Sequence, residues 1–378
     1  ASPELVTRIP AVLAAAGEWD RVHDAGAVAA RARADAVRAT RNTPLAIEGG
    51  GSVRVGAAGW TDPTLLAPGV FYPAGATTAD ARLRHYASRF SLVEIDATYY
   101  ALPTRRMAQL WVERTPASFL FDVKAHAVMT GHTTDARLLP ASIRAALSPR
   151  AATVPRLSAT ELGTELVDAI WTMFLDALEP LLTAGKLGAI LLQFPPWLAP
   201  SRASAATIVA AHDRLRARGF MGAVELRHHG WFAPRVAART LALLERHDIP
   251  YVMVDGPQGT NSSVPPVIAV TSPRLAVLRL HGRRSETWEA RHLRATERYR
   301  YLYDREQLEM WVPRIIDVAR QTQGVHVVHN NCHANYGTTN AAEIAEMLVE
   351  ADTERRRMGR EAHRAKLLRD ENLVSNGY

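Results

Sequence analysis

The sequence predicts an α/β fold: a closed (β/α)8 TIM-type barrel with an N-terminal helical extension and a C-terminal helical tail. Eight apolar runs rich in β-forming residues recur along the chain, and most are followed by an amphipathic helical pattern, as in a barrel. An open doubly wound sheet usually carries a glycine-rich phosphate turn after its first strand. Here residues 57–62 read Ala-Ala-Gly-Trp-Thr-Asp, without that fingerprint. The barrel is therefore the favoured fold.

The order of the elements follows from the hydrophobic period. Strands are predicted at 53–60, 92–100, 120–126, 187–195, 223–231, 250–256, 275–283 and 325–331. Helices are predicted at 78–90, 104–113, 164–183, 205–217, 233–246, 305–321 and 340–349. Thr77 or Thr78 is a candidate N-cap of the first helix.

Three domains or segments are expected. Residues 1–52 form a helical extension that ends in a glycine-rich joint, 53–350 form the barrel, and 351–378 form a basic helical tail. Two long connections, 130–158 and 282–304, leave the C-terminal ends of strands. That face of a barrel carries the active site, so we expect both connections to be lids or substrate walls.

Composition restricts the class of protein. Hydrophobic residues make up 47% and charged residues 22% of the chain, as in a soluble globular protein. No apolar run approaches the roughly 18 residues of a membrane span. The single cysteine, Cys332, excludes an internal disulfide and is expected to be a buried, inert thiol. The start of the chain does not resemble a signal peptide, so we expect a cytoplasmic protein.

The net charge of +7 favours anionic partners, although an arginine-rich genome would produce the same excess. The oligomeric state stays open.

A second pattern concerns charged residues that share one face of a strand. On the strand 223–231, Val224 and Leu226 take one face while Glu225 and Arg227 take the other. Such a pair costs several kcal/mol inside a protein unless it has partners or a function. The pattern recurs on other strands with Glu94, Asp96, Thr98 and Tyr100; Asp122, Lys124 and His126; Gln193; Arg279, His281 and Arg283; and, at the last strand end, His329, Asn330 and Asn331.

Two interpretations of these groups stay open. Glu94 and Asp122, which lie deeper, suit a salt-bridged core, for example Asp122 with Arg279. The upper layer suits a functional site at the barrel mouth; it comprises Asp96, Lys124, His126, Glu225, Arg227 and His281.

The residue types indicate acid–base chemistry on an anionic substrate that carries a phosphate or carboxylate. Glu225, His281 and Asp96 can move protons if their pKa values are shifted, and Lys124 is the fourth candidate catalytic group. Arg227 and Arg279, with Lys124, can hold an anion. The remaining candidate substrate-binding residues are His126, Trp60, Tyr99, Gln193, Asn330 and Asn331, of which the two asparagines can donate to an oxyanion or a sugar hydroxyl.

Two alternatives compete with this hypothesis. One is a metal-dependent hydrolase, possibly acting on nucleic acid, because Asp96, His126, Glu225, His281 and His329 are metal-ligand types. No short ligand spacing supports it and the neighbouring cations would repel a metal, so no cofactor is expected, although a divalent metal stays an open alternative. The other is a non-catalytic nucleic-acid or nucleotide binding module that uses the arginine- and aromatic-rich loop 283–303 and the basic tail.

Several motifs, in order, resemble the YecE-like family, a domain of unknown function. They are Gly59-Trp60, Phe71-Tyr72-Pro73, residues 93–100, Phe121-Asp122-Val123-Lys124, residues 193–196, residues 224–228 with Trp231, residues 279–283, and Asn330-Asn331 with Asn340-Ala341. The resemblance covers about 53–349 and implies a TIM-type barrel but no reaction. Asp96 stands where an asparagine is usual, and His329 where an aromatic is usual. The insertion at 130–158 and the N-terminal extension indicate a longer subgroup.

Overall fold

A computed structural model describes residues 30, 33, 42–260, 262–290, 293 and 295–375, with backbone alone for 295, 296 and 362–375. Most of the predicted extension 1–52 lies outside these residues, so its helices stay a prediction.

Eight parallel strands form one sheet around the centre of the molecule. Hydrogen bonds connect them in the order β5-β4-β3-β2-β1-β8-β7-β6. Their bounds are β1 Ser52–Ala58, β2 Leu92–Ile95, β3 Leu120–Lys124, β4 Leu187–Phe194, β5 Gly222–Leu226, β6 Val252–Asp255, β7 Ala276–Leu280 and β8 Gly324–His329. A two-residue strand, Leu45–Ala46, adds to β1 in antiparallel fashion.

The two ends of the sheet meet between β5 and β6. Val224 bridges Tyr251, and its N–H donates to the Pro250 carbonyl at 2.8 Å. The sheet is thus nearly closed into a barrel, and the predicted fold class is confirmed.

Helices cover the outside of this barrel. The longer ones are α1 Ala79–Arg89, α2 Arg105–Glu113, α3 Thr164–Thr183, α4 Arg202–Arg216, α5 Ala237–Arg246, α6 Val312–Ala319 and α7 Tyr336–Ser375. Short helices or 3₁₀ turns lie at Ala97–Tyr99, Ala127–Thr130, Ala136–Leu138, Ala141–Ala145, Ala151–Thr153, Ala159–Leu162, His229–Phe232, Ser285–Trp288, Ala295–Arg298 and Arg305–Glu309, and a small hairpin pairs Thr134–Asp135 with Arg156–Leu157. Thr78 caps α1 by accepting from the Ala81 N–H at 3.1 Å, as predicted.

Two features differ from a regular (β/α)8 pattern. The described residues between β6 and β7 form no helix. The final helix α7 runs without a break across residue 350, so the basic tail is the continuation of the last barrel helix rather than a separate helix.

The main hydrophobic core lies between the strands and the helices. Inside the barrel, a small apolar layer consists of Ala58, Leu92 and Val328. Ionisable residues occupy the interior on both sides of this layer: on β8, His326 precedes Val328 and Asn330 follows it. No helix among the described residues is long and apolar enough to cross a membrane.

Candidate functional site

The centre of the site is a buried ion network of three strands. Arg279 on β7 donates from Nε to Glu94 Oε2 on β2 at 2.9 Å, and its Nη2 binds the other Glu94 oxygen. Its Nη1 donates to Glu225 Oε2 on β5 at 2.6 Å. All three side chains are fully buried. The arrangement satisfies the condition that buried charges must be paired and hydrogen-bonded.

The second oxygen of Glu225 connects this network to the barrel mouth. Glu225 Oε1 accepts from Gln193 Nε2 at 2.7 Å and from Arg227 Nη1 at 2.8 Å. His281 Nε2 lies 3.5 Å from the same oxygen. Glu225 therefore holds one amide and two guanidinium groups in fixed positions.

A glycine turn after β7 separates two neighbouring functional groups. Gly282 has φ +83°, and a Cβ there would lie 2.5 Å from Tyr301 Cβ. Its N–H donates to the Tyr303 hydroxyl at 2.8 Å. The turn leaves His281 at the mouth and directs Arg283 away, where Arg283 Nη2 binds Asp255 Oδ2 at 2.7 Å.

His281 is held as a neutral imidazole. Burial and the adjacent Arg279 lower its pKa to about 3. Asn330 Nδ2 lies 2.8 Å from Nδ1. When this amide donates to Nδ1, the ring proton is on Nε2, which faces Glu225.

The three carboxyl groups differ in protonation. Burial, together with the nearby Asp96, raises the pKa of Glu94 to about 8 against the effect of Arg279. Burial acts in the same direction on Asp96, but Lys124 and Arg279 outweigh it and lower the pKa of Asp96. Arg279, His281 and Arg227 likewise outweigh burial at Glu225 and hold its pKa well below the usual range. These environments favour a proton on Glu94 over one on Asp96 or Glu225.

Asp96 and Lys124 lie at the solvent side of the network. Their charged atoms are 3.4 Å apart, and 31% of the Asp96 side chain is exposed, so it can reach a ligand. Lys124 Nζ lies 4.9 Å from the centre of the Tyr99 ring, which in turn contacts the His132 ring at 5.3 Å.

An open cavity of about 560 Å³ lies above Arg227. Its walls are largely aromatic, and its polar groups include two guanidiniums; the lining residues are His132, Gln193, Pro196, Trp197, Arg227, Ser262, Trp288, Glu289, Arg298 and Tyr299. Both long connections predicted to be lids or walls contribute to it: one provides His132, and the other provides Trp288, Glu289, Arg298 and Tyr299. This size suits a small-molecule ligand.

Arg227 is the best-placed cation in this cavity. Its guanidinium lies over the Trp288 ring at 4.6 Å and is anchored to Glu225 by Nη1. Nη1 also lies 3.3 Å from His281 Nε2. Among the described residues, Nε and Nη2 have no hydrogen-bond partner. They form one edge of a fork, the geometry that binds carboxylate or phosphate in bidentate fashion.

Four residues singled out by the sequence lie outside this group. His126 Nε2 lies 3.4 Å from Thr134 Oγ1, and burial lowers its pKa to about 4. Trp60 packs edge-on against Trp111 and Phe121 in the outer core. Asn331 donates to the Tyr301 carbonyl and to Asn340 Oδ1. The expected pairing of Asp122 with Arg279 is wrong, because Asp122 lies nearer the N-terminal strand ends and binds His326 instead.

Sequence reasoning missed most of the cavity wall. His132, Trp197, Trp288 and Tyr299 lie on connections whose course no strand period predicts. The sequence does indicate two of them, Trp288 and Tyr299, because the loop 283–303 is rich in arginine and aromatic residues. Trp197 directly follows the Gln193-Phe194-Pro195-Pro196 motif and is 63% exposed at the cavity rim.

The metal-site alternative finds no geometric support in the described part of the chain. No group of three or more His, Cys, Asp or Glu side chains there is arranged to hold a metal ion. His329 is fully buried with neither ring nitrogen hydrogen-bonded, and burial lowers its pKa to about 3. Its ring centre lies 6.4 Å from that of Tyr303, in edge-on contact.

The nucleic-acid alternative depended in part on the basic tail. Two arginines at the start of the tail are paired with acidic neighbours. Arg356 Nε lies 2.6 Å from Asp352 Oδ2, and Arg357 Nη2 lies 2.6 Å from Glu354 Oε1. These pairs leave less positive charge for a phosphate backbone than the sequence suggested.

Comparison with known proteins places this architecture in a family. A family model described as "Protein of unknown function DUF72" matches residues 54–364. The protein UPF0759 YunF of Bacillus subtilis is 28% identical over 300 residues, which are 78% of this chain and 94% of that protein.

Two solved structures of that family share the fold. One, from Thermotoga maritima, is 26% identical, with a TM-score of 0.60 over 78% of this chain and 98% of its own. The other, from Enterococcus faecalis, is 23% identical, with a TM-score of 0.60 over 78% of this chain and 95% of its own. The YecE-like name used above is a variant label for the same family, whereas the longer subgroup stays a prediction.

Proposed function

Because the chain belongs to the DUF72 family, whose description names no activity, we propose a function from the geometry of its own site. The protein would be an enzyme that acts by acid–base chemistry on a substrate with a carboxylate or phosphate group. The reaction would take place at the C-terminal end of the barrel. The observation that carries this proposal is the Arg227 guanidinium, with two nitrogens unpartnered by described residues, at the base of a 560 Å³ cavity.

The charges in and around the cavity favour an anionic ligand. Burial, followed by the charges of Lys124 and Arg227, lowers the pKa of His132 to about 4, which supports a positive potential at the cavity wall. Arg298 adds a second guanidinium to the lining. The carboxylate in the lining, Glu289, already accepts from the Ser262 N–H and hydroxyl at 3.0 and 2.9 Å.

The proton-transfer roles follow from the pKa differences. When their environments shift the pKa values of two neighbouring carboxyl groups in opposite directions, one group can act as an acid and the other as a base at the same pH. Asp96, ionised and accessible, would be the base, and Glu94 would retain its proton. Charged Lys124 would donate to an oxyanion that forms on the substrate. Neutral His281, whose ring proton faces Glu225, would help to fix the Glu225 carboxylate. Glu225, whose oxygens are occupied, would position Arg227 and His281 rather than move protons.

The test is a thermal-shift screen of carboxylated and phosphorylated metabolites. We expect at least one compound to stabilise the wild type and to bind Arg227→Met at least tenfold more weakly, since a bidentate contact is lost. Arg214→Met is the matched control, because Arg214 lies 4.9 Å over Trp171 on the outer surface. Unchanged binding to folded R227M, or no stabilising anion at all, would refute the proposal.

The chemical step needs its own variant. Asp96→Asn should retain binding of the compound found in the screen but lose its turnover, because the amide cannot accept the proton. Turnover by D96N at the wild-type rate would exclude Asp96 as the base.

A further inference from the structure

A second group of ionisable residues lies inside the barrel at the opposite, N-terminal end of the strands. Arg54 on β1 and His326 on β8 are paired in register, so both point inward. Asp122 on β3 completes the group, and Arg274 lies at its rim. The mechanism proposed above uses none of these residues.

A β-bulge makes room for Asp122. On β3 and β4, Phe121 pairs with Leu187 and Val123 pairs with Ile190, so Asp122 faces two residues, Gly188 and Ala189. The Ala189 N–H donates to Asp122 Oδ1 at 2.8 Å.

Glycine is required beside this bulge. A Cβ on Gly188 would lie 2.3 Å from Asp122 Oδ1 and 2.8 Å from His326 Cε1. The local structure is therefore shaped around an aspartate–histidine pair.

The pair fixes the histidine ring. His326 Nδ1 lies 3.0 Å from each oxygen of Asp122, and both side chains are buried. Its Nε2 has no hydrogen-bond partner among the described residues. His326 also lines a cavity of about 230 Å³ that opens at this end of the barrel.

Two arginines that line the same cavity have donors without a partner among the described residues. Arg54 donates from Nη1 to the Ser118 and Ser91 carbonyls, which leaves Nε and Nη2 without a partner among the described residues. Arg274 binds Asp248 Oδ2 at 2.7 Å, but its buried Nε has no hydrogen bond. A buried donor without a partner costs free energy, so a bound acceptor would stabilise this end.

The chemistry of these donors selects the ligand. Guanidinium groups bind oxyanions, whereas the two cations would repel a metal ion. With its Nδ1–H facing Asp122, neutral His326 has an acceptor at Nε2, which can receive the P–OH hydrogen of hydrogen phosphate. The Asp122 carboxylate is already occupied by His326 and the Ala189 N–H. The residues that line this cavity include none of those that line the Arg227 cavity.

We propose that the N-terminal mouth of the barrel is a second ligand site, which binds one free phosphate-sized oxyanion through Arg54, Arg274 and His326. Binding at this site requires neither the Arg227 cavity nor any reaction there.

Inorganic phosphate is the probe, titrated calorimetrically into the full chain that carries Arg227→Met, so that the other cavity does not contribute. We expect one phosphate per chain. Adding Arg274→Met should weaken binding at least tenfold. Adding Arg218→Met should not, since Arg218 is a similarly exposed arginine paired with Asp176 at 2.8 Å.

A second measurement needs no variant inside the site. In the R227M protein, phosphate should shift the ring resonances of His326 in an NMR titration, with the same affinity as in calorimetry. Absence of phosphate binding in R227M, equal binding with and without Arg274, or a His326 ring that does not respond would each overturn the proposal.

Discussion

At the residue scale, the most informative contrast is between two buried glutamates that bind the same arginine. Glu94 and Glu225 both accept from Arg279, yet the pKa of Glu94 is raised to about 8 and that of Glu225 is well below its usual range. The difference arises because Glu225 has Arg227 and His281 beside it, whereas Glu94 has the carboxylate of Asp96.

This contrast predicts that the same substitution, glutamate to glutamine, lowers the free energy of unfolding by different amounts at the two positions. Glu94→Gln keeps one of the two oxygens that accept from Arg279 and places an N–H donor where the other oxygen accepted, so it should cost about 1–3 kcal/mol of unfolding free energy at pH 7. Glu225→Gln leaves two arginines short of a counter-charge and should cost about 3–5 kcal/mol. Urea unfolding of the two variants measures both, and equal costs would contradict the assigned protonation states.

Buried histidines predict how stability depends on pH. The folded-state pKa of His329, about 3, is below the ordinary value of 6.5, so the unfolded chain takes up a proton first as the pH falls. Stability from the neutral ring is complete above about pH 6.5 and is lost progressively towards pH 3. Between pH 7.5 and pH 5, the free energy of unfolding of the His329→Leu variant should therefore fall by about 2 kcal/mol less than that of the wild type.

The control for this prediction is His229→Leu. His229 is exposed at the surface, so its replacement should retain the wild-type loss of stability on acidification. Denaturant unfolding at the two pH values provides the comparison, and identical acid sensitivity in H329L and the wild type would refute the prediction.

At the element scale, the turn after β7 determines where the lid loop begins. Gly282→Ala combines a positive φ with a clash against Tyr301, whereas Gly131→Ala has φ +83° in the left-handed region and no heavy atom within 4 Å of the new Cβ. G131A should cost about 1 kcal/mol from the backbone alone. G282A should cost a further 1–3 kcal/mol, approximately, from overpacking.

Chemical denaturation of the two glycine variants separates these contributions. A G282A protein no less stable than G131A would show that the loop tolerates displacement, and that the turn does not hold His281.

The sequence predicted elements well where a periodic pattern continued through them. Strand alternation correctly placed Glu94, Glu225 and Arg279 on the inner face, because a two-residue period depends only on local geometry. It did not predict the bulge opposite Asp122, since one extra residue in β4 leaves the apolar pattern of both strands intact. The Asp122–Arg279 pairing was wrong for a related reason: strand offsets in a barrel depend on its tilt, which no single strand reveals.

At the scale of the whole molecule, the barrel was predictable and the cavity was not. Eight β-rich runs with helices between them leave few topologies. The cavity, however, is built where His132 and Trp197 meet Trp288 and Tyr299 across separate loops, and contacts between loops follow no sequence period. The interior has ionisable groups at both ends of one apolar layer, an arrangement that requires the full set of strands in register.

The most direct test of the central claim is a crystal structure with the anion that best stabilises the wild type. We expect the carboxylate or phosphate oxygens of this anion to lie about 3 Å from Arg227 Nε and Nη2. Trp288 and Tyr299 should form an aromatic wall around the anion. An anion bound elsewhere, with the Arg227 cavity holding only solvent, would contradict the account.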